Sequence, residues 1–148
     1  MRRLLAIALT AAAAPDEGYL FVTNRGDEAV ASARSLRRVA PAANITFVSD
    51  AATLRDVGPS LSVFDVVIRA EKAFPDLDVH DSQGFRLQKL RGGLASPYSR
   101  TIFLDSDTRA CKDPGATLFP LLRTTDVACV WGGRGNHSGA SAGVLAFS

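Results

Sequence analysis

Short apolar runs alternate along this chain with stretches whose apolar positions recur every three or four residues. Tyr19-Leu20-Phe21-Val22-Thr23 is a β-rich run closed by a turn at Asn24 to Gly26. Ala29, Ala33, Leu36 and Ala40 then fall on one helical face, with Asp27 expected as the cap and Pro41 as the stop. Ile45-Thr46-Phe47-Val48 predicts a second strand, and Asp50 a cap for a short helix ending near Gly58-Pro59. Val63 to Ile68 predicts a third strand punctuated by Asp65, and then comes a polar, irregular stretch from Glu71 to Ser82. Leu87, Leu90 and Leu94 mark one face of another helix, which Ser96-Pro97 ends before a fourth strand from Arg100 to Leu104. Asp113-Pro114 opens a helix whose apolar face is Leu118, Phe119, Leu121 and Leu122, with Pro120 shortening or kinking it. Val127 to Trp131 predicts a fifth strand, Gly132 to Gly139 a loop, and Ala142 to Phe147 a sixth strand.

Strands alternating with helices predict an α/β sandwich with a mainly parallel sheet. In such sheets ligands sit outside the carboxyl ends of the strands. Thr23 and Asn24, after the first strand, therefore share an edge with the residues just past Leu104.

Leu104 runs directly into Asp105-Ser106-Asp107. In an extended chain, residues i and i+2 face the same side, so the two carboxylates could converge on one hard divalent cation, which prefers oxygen ligands. The chain carries its own control in Asp76-Leu77-Asp78, with the same spacing. That copy comes after Pro75 in a polar stretch with no apolar strand before it, and reads as a solvated turn. Two other uses of strand-end acids fit poorly. Haloacid dehalogenase-type phosphatases place Thr or Val where this chain has Arg109, and two-component receivers place further acids after the first strand. Lys89 is a candidate phosphate contact, an ammonium acting as a point charge. His80 and His137 are lone loop histidines, and neither Asn24-Arg25-Gly26 nor Gly132-Gly133-Arg134-Gly135 has the spacing of a phosphate-cradling loop.

Composition bounds these readings. A chain of 148 residues with a net charge of +2 suits one globular domain. The only basic cluster, Arg34-Ser35-Leu36-Arg37-Arg38, lies on the first predicted helix and reads as a solvated face; without aromatic interleaving it argues against nucleic acid. Met1-Arg2-Arg3 and the alanine-rich run to Ala14 have the order of a secretory signal peptide, so residues 1–15 are read as a leader and 18–148 as the domain. That leader predicts the secretory pathway, Golgi lumen or secreted; the alternative is a cytoplasmic protein. The run is too short to span a bilayer. Cys111 and Cys129 are read as two buried thiols rather than a disulfide. Asn136-His137-Ser138 is a candidate glycosylation acceptor, whereas Asn44-Ile45-Thr46 belongs to a strand.

The segment Phe85-Arg86-Leu87-Gln88-Lys89-Leu90, then Ser96-Pro97-Tyr98-Ser99-Arg100 running through Thr101-Ile102-Phe103-Leu104 to Asp105-Ser106-Asp107-Thr108, then Leu118-Phe119, resembles the nucleotide-diphospho-sugar transferases related to glycogenin and the bacterial lipopolysaccharide galactosyltransferases. Phe21-Val22-Thr23, Ser35-Leu36 and Ala142-Gly143-Val144-Leu145 match more loosely. The resemblance implies a Rossmann-like GT-A fold and a metal-dependent glycosyltransferase with a nucleotide-sugar donor, UDP-linked, and an unknown glycan, protein or lipid acceptor. It implies Mn²⁺ or Mg²⁺ held by Asp107 and Asp105, with Asp105 and Ser106 touching the donor, Lys89 near its phosphates or sugar, and Thr23 near its base. It assigns no catalytic residue.

The family's later motifs would fall beyond Ser148, so the chain is read as the nucleotide-binding part of the domain, C-terminally incomplete and with little activity of its own. The alternative is a non-catalytic or degenerate nucleotide-sugar-binding module. A nucleotidyltransferase would carry a glycine-rich phosphate loop after the first strand, which is not there.

Overall fold

The computed structural model describes residues 15–76, 91–132 and 139–148, with the backbone alone for 129–132 and 139–143. Its strands are β1 (Glu17–Val22), β2 (Ile45–Ser49), β3 (Val66–Arg69), β4 (Arg100–Leu104), β5 (Val127–Gly132) and β6 (Gly139–Phe147). Its helices are α1 (Gly26–Val39), α2 (Ala51–Val57), the single turn α3 (Ala70–Ala73) and α4 (Gly115–Leu121), with 3₁₀ segments at Gly58–Val63 and Gly92–Ala95.

The strands form one six-stranded sheet in the order β3-β2-β1-β4-β6-β5. Pairing is parallel from β3 through β4, with Tyr19 opposite both Ile45 and Ile102. β6 runs antiparallel to β4 and β5, so the sheet is mainly parallel, as the alternation of elements predicts. A parallel strand covered on both faces must be apolar on both. β1 and β2 satisfy this: Phe21 and Phe47 on one face and Leu20 and Val48 on the other are all fully buried.

One face packs against α1 through Ala29, Ala33 and Leu36, and the Phe47 and Phe64 rings stack there at 4.6 Å between centroids. The other face buries Leu20, Val22, Val48, Phe74 and Phe103. Close approaches depend on missing side chains. A Cβ on Gly18 would lie 2.3 Å from the Tyr98 ring, and one on Gly26 2.2 Å from Val57 of α2. Among the described residues, no helix is long and apolar enough to cross a membrane.

The departures from expectation are local. α1 begins at Gly26 with no side-chain cap, so Asp27 sits in its first turn beside the helix dipole instead of capping it. Asp50 does cap α2, accepting the Thr53 N–H at 2.9 Å. The third strand starts at Val66 because the 3₁₀ segment runs to Val63. Leu94 falls in a 3₁₀ segment and is 86% exposed, and Leu121 of α4 is 46% exposed, so neither belongs to the core. Cys111 is exposed, not buried, and the Cys129 side chain lies outside the described residues.

Arg37 is not part of a solvated face. Its guanidinium donates to the carbonyls of Ala43 at 2.5 Å, Pro41 at 3.2 Å and Val63 at 3.2 Å, and to Asp65 at 2.6 Å. Asp65 in turn accepts the Ile45 N–H at 2.7 Å, so one side chain ties the end of α1 to the starts of β2 and β3.

Candidate functional site

Strand order reverses between β1 and β4: β2 and β3 lie beyond β1, the remaining strands beyond β4. In a doubly wound sheet such a switch point opens a crevice outside the carboxyl ends, because the covering helices diverge to opposite faces there. Leu20 lies opposite Phe103, so β1 and β4 end within one residue of each other. Thr23 succeeds one strand and Asp105 the other.

Thr23 is buried, and its polar atoms are used within the protein. Its N–H donates to the Val48 carbonyl at 3.2 Å, and its carbonyl accepts the Ser49 hydroxyl at 2.6 Å. Its Oγ1 accepts the Arg25 N–H at 3.0 Å and donates to Ser106 Oγ at 3.4 Å.

The acid pair does not continue β4. The strand stops at Leu104, and the Thr108 N–H donates to the Asp105 carbonyl at 3.1 Å, closing a turn with Ser106 and Asp107 at its centre. Alternation along an extended strand therefore does not describe how these carboxylates are disposed; the turn does. Asp105 is half-buried and Asp107 exposed, whereas Ser106 between them is buried. Ser106 Oγ donates to Glu28 Oε2 on the first turn of α1 at 3.0 Å. Arg109 steadies the turn, donating to the carbonyls of Ser106 at 3.3 Å and Thr108 at 2.9 Å.

Glu28 is the residue that sequence reasoning missed. It is separated from Ser106 by 78 positions, and its only local signature is that of an acid in a helix's first turn. Arg25 lies 3.4 Å from it, an exposed pair of small energetic weight. Beside this edge a cavity of about 350 Å³ opens between the start of α1 and α2, lined by Asn24, Arg25, Asp27, Glu28, Thr53 and Asp56.

Carboxylate oxygens such as those of Asp105 and Asp107 are of the donor type that a hard cation takes. Among the described residues no three His, Cys, Asp or Glu side chains gather into a protein-only metal cage. Mg²⁺-like ions, however, are held by one or two carboxylates together with substrate phosphates, and an accessible acid pair on a turn suits that mode.

Lys89, His80, His137 and Asn136 lie outside the described residues, as does the leader through residue 14. Of the second acid pair, Asp76 is exposed and bonded to Arg91 at 2.6 Å, which holds its carboxyl below the ordinary carboxylate value; Leu77 and Asp78 lie outside the described residues. Asn44 sits just before β2 and donates its amide to the Glu17 carbonyl at 3.0 Å.

No family model matches this chain, and no curated protein does. Among solved structures it is similar to the galactosyltransferase LgtC in complex with donor and acceptor sugar analogues, at 15% identity and a TM-score of 0.51, over 88% of this chain and 57% of that one. It is equally similar to an active-site mutant of LgtC, at 15% identity and a TM-score of 0.51, over 88% of this chain and 56% of that one. The chain thus spans just over half the length of these structures. At this identity the likeness is one of fold: a Rossmann-like, GT-A glycosyltransferase-like architecture.

Proposed function

We propose that the chain forms the nucleotide-binding part of a metal-dependent glycosyltransferase that takes a UDP-sugar as donor. The observation that carries this reading is the acid turn at the carboxyl end of β4, beside the end of β1, at the switch point of a GT-A-like sheet.

In this reading Asp105 and Asp107 hold Mn²⁺ or Mg²⁺ and Asp105 faces the donor, while Ser106, expected to touch the donor, is buried with its hydroxyl on Glu28 and supports the turn from within. When bound, the cation neutralises the diphosphate as negative charge builds on the leaving group. Lys89 adds a further positive charge toward the phosphates or sugar. Thr23, whose hydroxyl links β1 to Ser106, shapes the floor beneath the nucleotide. The acceptor is a glycan, protein or lipid.

Calorimetric titration of the protein with UDP, GDP and ADP, each with and without Mn²⁺, tests the reading. UDP is expected to bind only with the metal. Metal-independent binding, or none by any nucleotide, contradicts it.

A further inference from the structure

After the acid turn the chain descends alongside α1 and is fastened three times on the way. Ser106 Oγ donates to Glu28 at 3.0 Å, the Ala110 N–H donates to Ser35 Oγ at 2.9 Å, and Asp113 accepts the Tyr19 hydroxyl at 2.5 Å. Glu28 and Ser35 are seven residues apart, two helical turns, and so lie on the same side of α1. Ser35 is buried and donates its own hydroxyl to the Ser32 carbonyl at 2.7 Å, so that lower fastening is part of the packed helix surface.

The upper fastening differs. It joins a half-exposed glutamate to the one buried residue of Asp105-Ser106-Asp107. Ser106 occupies the first of the two central positions of the turn closed by Thr108. Fixing its hydroxyl fixes the rotation of the turn about its ends, and with it the backbone that carries both aspartates. Thr23 Oγ1 at 3.4 Å supports the same hydroxyl only at the limit of a hydrogen bond, which leaves Glu28 as the stronger of the two partners.

We infer that Glu28 is a positioning residue: by accepting the Ser106 hydroxyl it holds the acid turn in the arrangement that receives a cation and its diphosphate. The inference rests on the proposed metal–nucleotide reading of this turn. Residues that orient metal ligands from behind commonly change metal affinity by about 10- to 100-fold when removed, which sets the expected scale.

The test compares Glu28→Ala, Glu28→Gln, Ser106→Ala and the double alanine variant. Two measurements are made on each: Mn²⁺-dependent UDP affinity, and hydrogen exchange of the Thr108 amide in the ligand-free protein. Glu28→Ala and Ser106→Ala are each expected to weaken UDP binding about 10-fold and to speed Thr108 exchange, with the melting temperature little changed. The double variant is expected to lose no more than either single one, because both remove one bond. Glu28→Gln keeps an acceptor oxygen and is expected to stay within about threefold of the parent.

Additive losses, or wild-type affinity in Glu28→Ala, overturn the inference. If the unmodified protein does not bind UDP with Mn²⁺, the functional reading fails by itself. The Thr108 exchange rate then decides the positioning claim, and a rate unaltered by Glu28→Ala overturns it.

Discussion

The two edges of the parallel sheet are both lined with polar groups, yet they are built differently. At the amino-terminal edge Arg37, Arg100 and Tyr19 are each closed on partners within the protein. Arg37 spends its guanidinium on three carbonyls and Asp65, and Arg100 is paired with both Asp16 and Glu17. The Tyr19 hydroxyl donates to Asp113 and accepts the Gly115 N–H at 2.9 Å; burial first, and then the Asp113 carboxylate, push that phenol's ionisation far up, so it stays neutral. At the carboxyl-terminal edge Thr23, Ser106 and Glu28 are likewise bonded together, and Asp107 of the same turn is exposed beside them. A closed network serves stability. A bonded floor beneath an exposed carboxylate holds a turn in place while leaving that acid open to solvent.

The contrast breaks most visibly at the closed edge. Gly18→Ala drives a Cβ to 2.3 Å from the Tyr98 ring, which is itself held by the Thr46 hydroxyl at 2.8 Å. It should cost about 3 kcal/mol, near the upper end for overpacking, read as an earlier midpoint in urea with an unchanged slope. Arg37→Ala takes the guanidinium away from three backbone carbonyls and from Asp65, which keeps the Ile45 N–H. A loss of about 2 kcal/mol is expected in the same assay, with no change in nucleotide binding.

Asp50 sharpens the comparison, because it is an acid at the open edge that is structural. Burial by itself would raise its ionisation, but hydrogen bonds from the Thr53 N–H and hydroxyl, with those from the Asp50 and Ala52 backbone, together outweigh that and hold it below its ordinary 3.8. A depressed folded-state value means the carboxylate adds stability above pH 3.8 and loses that contribution as pH falls through its folded value. Asp50→Ala should cost about 1 kcal/mol at neutral pH, as for a helix cap, and the difference from the parent should shrink in acid.

Much of the fold was legible because local signals coincide with tertiary ones. The runs at Tyr19, Ile45 and Arg100 are both β-prone and continuous in apolar character, which is what a strand covered on both faces requires. Asp50 worked as a cap because capping is local. Leu94 misled because apolar spacing by itself does not say whether a partner surface exists. Arg37 misled for the converse reason, since its partners come from Pro41, Ala43, Val63 and Asp65, gathered only when the sheet forms. The acid pair could be placed at a strand end from its neighbours. The inward turn of Ser106 toward Glu28 could not, since nothing within either segment announces the other.

The most direct test replaces one exposed carboxylate and asks two questions of the same protein. Asp107→Ala should leave unfolding free energy within about 0.5 kcal/mol of the parent, as for a surface change, while abolishing the Mn²⁺-dependent binding of UDP. Unchanged UDP affinity in that variant, with Mn²⁺ present, would contradict the assignment of the β1–β4 edge as a metal–nucleotide site.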